Sequence, residues 1–375
     1  MKKRVINARG ADMSGTEPYK VPSMREIEAI PWNGYKVVST FSGGGGSCLG
    51  YRMAGFHVVW ANEFVEAAQE TYRLNHRNTF LDTRDIRTIL PEEILQQTGL
   101  KRGELDLFDG SPPCCAFSTA GKRDKGWGRE REYSDGKKQQ IENLFLEYIR
   151  ILNGLQPKTF VAENVSGMVK GKAIGFFLEY IQEMKKCGYS VKAQLLNAKY
   201  LGVPQSRERI IFIGVRNDLR MEPTFPKPET RIISMGEAIA MVKNDSNELE
   251  MLFAAANKYK WGKVLRKIPK DPRKSIQGSS VMNGAYFNLV RQSLYMPCST
   301  ICQMNGSSSA SGNCHPLEDR KLTIEELKRV TSVPDDFILT GTYAQQWERL
   351  GRMVPPIMMS KVAKTIQTDI LDKCK

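Results

Sequence analysis

Between Tyr35 and Asn217 the chain alternates short apolar runs with longer amphipathic stretches, and this alternation restricts the fold more than any other feature of its 375 residues. The runs Lys36–Phe41, His57–Ala61, Leu105–Asp109, Thr159–Ala162 and Arg209–Val215 read as buried strands. Val65–Asn75, Gln139–Leu152 and Ile174–Cys187 lie between them and repeat apolar residues at helical spacing. Strands alternating with helices predict an α/β domain with a doubly wound, mostly parallel sheet, whose ligands sit at the carboxyl ends of the strands. Residues 1–34 are polar apart from a short helix expected around Met24–Ile30, and they read as an extension. After Asn217 the alternation breaks. Pro223, Pro226, Pro228, many Lys and Arg, and a Ser/Gly tract at Gly306–Gly312 predict a second domain or large insertion of irregular structure over 217–318. Helical spacing returns at Thr323–Val330 and from Pro355 to Leu371.

The first strand runs into Phe41-Ser42-Gly43-Gly44-Gly45-Gly46-Ser47. Glycines there permit positive φ and a close approach of ligand to backbone, and a helix starting near Ser47 directs its amide dipole at that ligand. Alone, such a turn fits nicotinamide, flavin, nucleotide or methionine-derived cofactors. The second strand ends in Asn62-Glu63-Phe64, which sets a carboxylate where the two ribose hydroxyls of an adenosine can donate to it. By the same reasoning Asp85, followed by Ile86, is a candidate partner for an adenine amine.

A third strand runs into Asp109-Gly110-Ser111-Pro112-Pro113-Cys114-Cys115-Ala116-Phe117-Ser118. Two prolines stiffen that turn and present a thiol at the carboxyl edge of the sheet. Buried cysteine is ordinarily an inert small hydrophobe, whereas cysteine on a rigid loop beside a cofactor site is more often a nucleophile. Zinc is a competing use, but no Cys-x-x-Cys pair stands nearby, and the spacing of Cys298, Cys302, Cys314 and His315 fits no common finger. No metal is therefore expected. Lys and Arg outnumber Asp and Glu by 55 to 41, and the formal charge of +14 favours a polyanionic partner. No apolar stretch approaches the ~20 residues of a membrane span. Lys2, Lys3 and Arg4 are not followed by the apolar middle of a signal peptide, so a cytoplasmic location with reduced thiols is expected.

These segments, in this order, resemble the DNA (cytosine-5) methyltransferases. The resemblance rests on Phe41 to Gly46, Glu63, Pro112-Pro113-Cys114, Glu163-Asn164-Val165 and Gln205-Ser206-Arg207-Glu208-Arg209. It continues in Arg320-Lys321-Leu322-Thr323 with Pro334-Asp335-Asp336-Phe337, and in Gly351 to Pro356. It implies a catalytic and cofactor-binding domain over 35–216, a target-recognition domain over 217–340 and a segment 341–375 that returns to the catalytic domain. It further implies S-adenosylmethionine as cofactor, S-adenosylhomocysteine as product, and double-stranded DNA as partner to a chain acting as a monomer. Cys114, Glu163, Arg207 and Arg209 are the implied catalytic residues. Phe41, Ser42, Gly43, Gly45, Gly46, Glu63, Phe64, Asp85, Ile86 and Pro112 are implied at the cofactor, and Ser118, Gln205, Arg231 and Lys274 at the DNA.

The chemistry suits such residues. Cytosine carbon 5 becomes nucleophilic once a thiolate has added to carbon 6, which the resemblance assigns to Cys114. Glu163 is implied to hydrogen-bond N3 and the exocyclic amine, Arg209 the base carbonyl, and Arg207 to support the active-site or phosphate geometry. A stacked cytosine must be flipped out to be reached, at a cost of a few kcal/mol that contacts from 217–318 offset. Lys227, Arg231, Lys258, Lys260, Lys263, Arg266, Lys267, Arg273 and Lys274 are the cations available there. Two residues depart from the family pattern: Cys115 stands where Gln is usual, and Arg352 where Asn is usual. The rival readings are an RNA cytosine-5 methyltransferase on the same fold, an inactive DNA-binding paralogue, which Cys114, Glu163 and Arg209 argue against, and a nicotinamide oxidoreductase, which the cysteine loop disfavours.

Overall fold

The apolar runs assemble into one seven-stranded sheet. The structure, a computed structural model, describes residues 18–113, 130–132, 138–140, 144–170, 173–303 and 306–374. Its sheet holds β1 (Lys36–Thr40), β2 (His57–Asn62), β3 (Phe80–Asp82), β4 (Leu107–Gly110), β5 (Thr159–Val165), β6 (Tyr189–Asn197) and β7 (Glu208–Arg216). The order is β3-β2-β1-β4-β5-β7-β6. The first five strands pair in parallel, and β7 runs antiparallel to both of its neighbours. The winding reverses between β1 and β4, so their carboxyl ends mark the switch point where such sheets bind ligands. The expected α/β, mostly parallel sheet is therefore present. The edge strands β3 and β6 were not anticipated. The first has three residues with Phe80 exposed, and the second exposes Lys192, Leu195 and Gln194 in part or whole, so neither makes a continuous apolar run.

Helices α1 (Gly46–Met53), α2 (Glu66–Asn75), α3 (Pro91–Thr98), α4 (Leu144–Leu155), α5 (Ile174–Lys186) and α6 (Pro356–Asp369) belong with this sheet. One expected helix needs correction. In place of Gln139–Leu152, Lys138–Gln140 is a strand paired with Glu130–Glu132, and the described helix begins at Leu144. That helix buries a stripe of Leu144, Phe145, Tyr148, Ile149, Ile151, Leu152 and Leu155. Tyr148 stacks on Phe108 with ring centroids 4.6 Å apart, and Phe145 on Tyr180 at 4.0 Å. A Cβ on Gly50 of α1 would lie 2.6 Å from Met359 Cβ and from the Pro356 carbonyl, so glycine is what allows α6 to pack against α1.

The chain clusters into two units. One comprises Ile27–Asn197, Glu208–Lys227 and Pro356–Lys375 and carries the sheet; the other comprises Met1–Glu26, Ala198–Arg207 and Pro228–Pro355. The second unit is more helical than the sequence suggested. Ser246–Lys258 is a helix capped by Asp245, whose side chain accepts from Glu248 N, and Lys260–Leu265 follows it. The Asp245–Glu248 pair is a start signal that the surrounding prolines and charges obscured. Trp261, Val264, Leu265, Ile268 and Leu289 form the core of this region. Its N-terminal segment is fixed by Tyr19 Oη, which donates to the Arg329 carbonyl at 3.0 Å. Among the described residues, no helix is long and apolar enough to cross a membrane.

Candidate active site

Three loops leave the carboxyl ends of β1, β2 and β4 and meet in the sheet-bearing unit. After β1, Phe41, Gly43 and Gly45 all take positive φ, at 54°, 56° and 90°. For Phe41 that conformation carries a strain of about 1–2 kcal/mol, of the kind found at functional sites. Ser42 N donates to the Asn62 carbonyl at 3.0 Å and Gly45 N to the Ser42 carbonyl at 2.9 Å, so the loop is hydrogen-bonded into shape before α1 begins at Gly46. A Cβ at Gly45 would fall 2.0 Å from His76 Nε2. His76 itself is half-buried, stacked on Tyr72 at 4.3 Å, and desolvation lowers its pKa to about 4.

Glu63 ends β2 with its carboxylate turned into this loop. One oxygen accepts from Gly43 N at 2.7 Å and the other from Val65 N at 2.6 Å, at the start of α2. Gln69 Nε2 donates to the Glu63 carbonyl at 2.9 Å and to that of Phe64 at 3.1 Å, fixing both residues. Asp85 has its carboxylate engaged locally: it accepts from Arg87 N at 3.0 Å and pairs with the Arg87 guanidinium at 3.0 Å. The neighbouring Ile86 side chain is buried in the main core.

The loop after β4 is described as far as Pro113; Cys114, Cys115 and Ser118 lie outside the described residues. Pro112 is buried, and its carbonyl accepts from Asn164 Nδ2 at 3.1 Å. Asn164 Oδ1 in turn accepts from Val165 N at 2.8 Å, so the asparagine clamps the proline turn to the end of β5. Beside it Glu163, 8% exposed, forms an ion pair with Arg209 of β7, Nε to Oε1 at 2.7 Å. Arg209 also donates to the Glu208 carbonyl at 2.7 Å. The structure thus gathers Gly43, Glu63, Pro112, Asn164, Glu163 and Arg209 at one edge of one sheet.

Two residues of the Gln205–Arg209 segment are enclosed by the protein. Gln205, expected at the DNA, is fully buried: it donates to the Val330 carbonyl and Thr331 Oγ1 and accepts from Ile301 N, so it is an internal strut. Arg207, expected among the catalytic residues, is 1% exposed and donates to the carbonyls of Ile301 at 3.1 Å and Gly351 at 2.9 Å. An arginine so enclosed braces the chain at Ile301 and Gly351. Arg352 pairs with Glu348 at 2.5 Å and donates to Gln303 at 3.0 Å. Arg231 is paired with Glu237. Lys274 is exposed, as are Lys258, Lys260, Lys263, Arg266, Lys267, Lys270 and Arg273, a run of eight cations. Cys298 and Cys314 are buried, which pushes both thiols up to about 12, and His315 Nδ1 accepts from the amides of Leu317 and Glu318. Among the described residues no three His, Cys, Asp or Glu side chains are arranged to hold a metal.

Sequence reasoning missed two features. Asn164 was read only as part of a signature, and its amide contact across to Pro112 has no local signal. Asp109, an acid in an otherwise apolar strand, is buried and accepts from Ser39 Oγ and Tyr51 Oη, each at 2.8 Å. Burial, opposed by those two hydrogen bonds, pushes its pKa up to about 7.

The family described as C-5 cytosine-specific DNA methylase matches residues 35–368. Type II methyltransferase M.FnuDI of Fusobacterium nucleatum is 31% identical over 366 residues, covering 91% of this chain and 96% of that protein. Type II methyltransferase M.NgoPII of Neisseria gonorrhoeae is 28% identical over 372 residues, covering 92% and 98%. Among solved structures, a prophage-encoded E. coli protein described as a DNA modification methyltransferase superposes with a TM-score of 0.68 at 20% identity, over 90% of this chain and 99% of that one.

Proposed function

The chain belongs to the C-5 cytosine-specific DNA methylase family, and from that premise we propose how it works: it moves a methyl group from S-adenosylmethionine to carbon 5 of a cytosine flipped out of a specific duplex sequence, through a covalent bond from Cys114 to carbon 6 that breaks, releasing the thiolate, when a base takes the carbon 5 proton. The observation that carries this reading is the convergence of the Glu63–Gly43 contact, the Asn164–Pro112 clamp and the Glu163–Arg209 pair on one sheet edge. We take the sheet-bearing unit as catalytic and the unit containing Pro228–Pro355 as target-recognising.

The residues at the first two loops suit an adenosine cofactor. Glu63 is buried with carboxylate oxygens that can accept further hydrogen bonds from ribose hydroxyls, and the positive-φ turn at Gly43 leaves open space where a Cβ would stand. When bound, S-adenosylmethionine supplies an electrophilic methyl group. The protein does the rest. Pro112 and Pro113, held by Asn164, fix the chain that leads into Cys114 and so set the direction of thiolate attack. Glu163 is assigned to the Watson–Crick edge of the base, where its carboxyl, carrying a proton, donates to N3 and accepts from the amine, offsetting charge as the thiolate adds. Arg209 holds Glu163 in that orientation and can itself donate to the base carbonyl. Exposed cations between Lys258 and Lys274 contact phosphates, contributing affinity that offsets the cost of flipping the base. The chain would serve as the modification partner of a restriction enzyme, as its Type II relatives are named.

The test is incubation of the purified protein with methyl-labelled S-adenosylmethionine and either duplex DNA or transfer RNA, followed by bisulfite sequencing. Label in DNA at one sequence context is expected. Label in transfer RNA alone transfers the reading to the RNA substrate, and label in neither overturns it.

A further inference from the structure

Asp109 is a buried charge for which the chemistry above has no use. It stands in register with Ser39, across the β1–β4 pair, at the switch point of the sheet. Both oxygens accept hydrogen bonds, yet both donors, Ser39 Oγ and Tyr51 Oη, are neutral. The titratable groups bearing on it are Tyr51 and Cys48 from α1, Tyr72 from α2, Tyr148 from α4 and Glu163 from β5. Burial keeps the tyrosines and the cysteine uncharged at neutral pH, and Glu163 is already paired with Arg209. Buried carboxylates are ordinarily matched by a cation. Among the described residues none of the groups bearing on Asp109 is one.

A chain of hydroxyls connects this charge to the cofactor loop. Ser42 Oγ donates to Ser39 Oγ at 3.0 Å and to the Ser39 carbonyl at 3.2 Å, and Ser39 Oγ in turn donates to Asp109 at 2.8 Å. With its proton committed inward, Ser42 can only accept from the loop side. With Asp109 ionised, the floor beneath the loop is negative and accepting, and it suits a ligand that arrives with positive charge. S-adenosylmethionine bears a sulfonium, an ammonium and a carboxylate, a net charge of +1. Loss of the methyl group turns the sulfonium into a neutral thioether and leaves S-adenosylhomocysteine with no net charge.

We propose that Asp109 is the group by which this site tells methyl-bearing cofactor from spent product, its buried negative charge favouring the sulfonium form and weakening the hold on the thioether. This rests on reading Phe41–Gly46 and Glu63 as the cofactor site. A buried unit charge that attracts the sulfonium and not the thioether is expected to alter relative affinity by roughly tenfold. Such a bias speeds release of product without loosening the substrate complex.

Titration calorimetry of both ligands, on the wild type and Asp109→Asn at pH 7.5 and 5.0, tests the idea. The preference of the wild type for S-adenosylmethionine over S-adenosylhomocysteine should exceed that of the variant by about tenfold at pH 7.5. It should shrink at pH 5.0 as Asp109 takes up its proton. Equal weakening of both ligands in the variant, or a wild-type preference that does not change with pH, overturns the inference while leaving the cofactor reading intact. The second comparison needs no variant to fold. A wild type that binds neither ligand overturns both.

Discussion

Replacing Glu63 by alanine removes one carboxylate that performs two tasks. In the free protein it satisfies Gly43 N and Val65 N at 2.7 and 2.6 Å, the contacts that join the glycine turn to the start of α2. A buried N–H left without an acceptor costs about 1–3 kcal/mol. Water can reach the half-buried Gly43 more readily than Val65, so the loss of folding stability should be about 2–4 kcal/mol rather than the full sum. In the complex the same side chain is the proposed acceptor for the ribose hydroxyls, and its loss should weaken S-adenosylmethionine by about 1–3 kcal/mol, roughly five- to 150-fold. Urea denaturation without cofactor reads the first effect, and calorimetry on the folded variant at low temperature reads the second. Unchanged affinity in a folded variant removes Glu63 from the cofactor site. Unchanged stability contradicts the role of its two backbone contacts.

Three further outcomes are expected. Asn164→Ala frees the Pro112 turn, so kcat should fall about tenfold or more through misalignment while S-adenosylmethionine affinity stays within twofold, as single-turnover kinetics and calorimetry can check. Binding to duplex DNA should weaken steeply between low and moderate salt, and charge reversal at Lys263, Arg266 and Lys267 should flatten the slope; an affinity indifferent to salt contradicts the phosphate contacts. Asp109 has its carboxyl raised to about 7 by burial, so its folded form holds the proton more tightly than the unfolded chain. Its contribution is thus unfavourable above pH 7 and fades as pH falls towards that of an exposed carboxylate; Asp109→Asn should stabilise the free protein at pH 8, by up to a few kcal/mol, and not at pH 4, as chemical denaturation at the two values will tell.

The central strands were legible because a strand buried on both faces must be largely apolar, as in Leu107, Phe108 and Ile210 to Val215. The edge strands were not, since β6 alternates and β3 is three residues long. Gly45 and Glu63 could be placed in advance because a positive-φ turn and a carboxylate after the second strand are local necessities. The burial of Gln205 and Arg207 was not legible, for the opposite reason. A polar side chain in a motif looks ready for ligand, but whether it faces the ligand or a neighbouring carbonyl depends on residues such as Ile301 and Gly351, about a hundred positions away or more. Asp109 lay in plain view as the one acid of an apolar strand end, yet only the placement of Ser39 and Tyr51 around it reveals the buried network.

The account turns on Cys114 as the nucleophile, with Cys115 beside it as the alternative. Adjacent residues on an extended loop point in opposite directions, so one thiol at most faces the base. Duplex DNA carrying 5-fluorocytosine at the methylated position provides the direct measurement, because fluorine cannot leave as the proton does and the enzyme–DNA adduct persists. In the presence of S-adenosylmethionine the wild type and Cys115→Gln should form a denaturation-resistant adduct, Cys114→Ser should form none, and peptide mapping should put the nucleotide on Cys114. An adduct mapped to Cys115, or one that survives in Cys114→Ser, would contradict the assignment and with it the register that set Glu163 and Arg209 against the base.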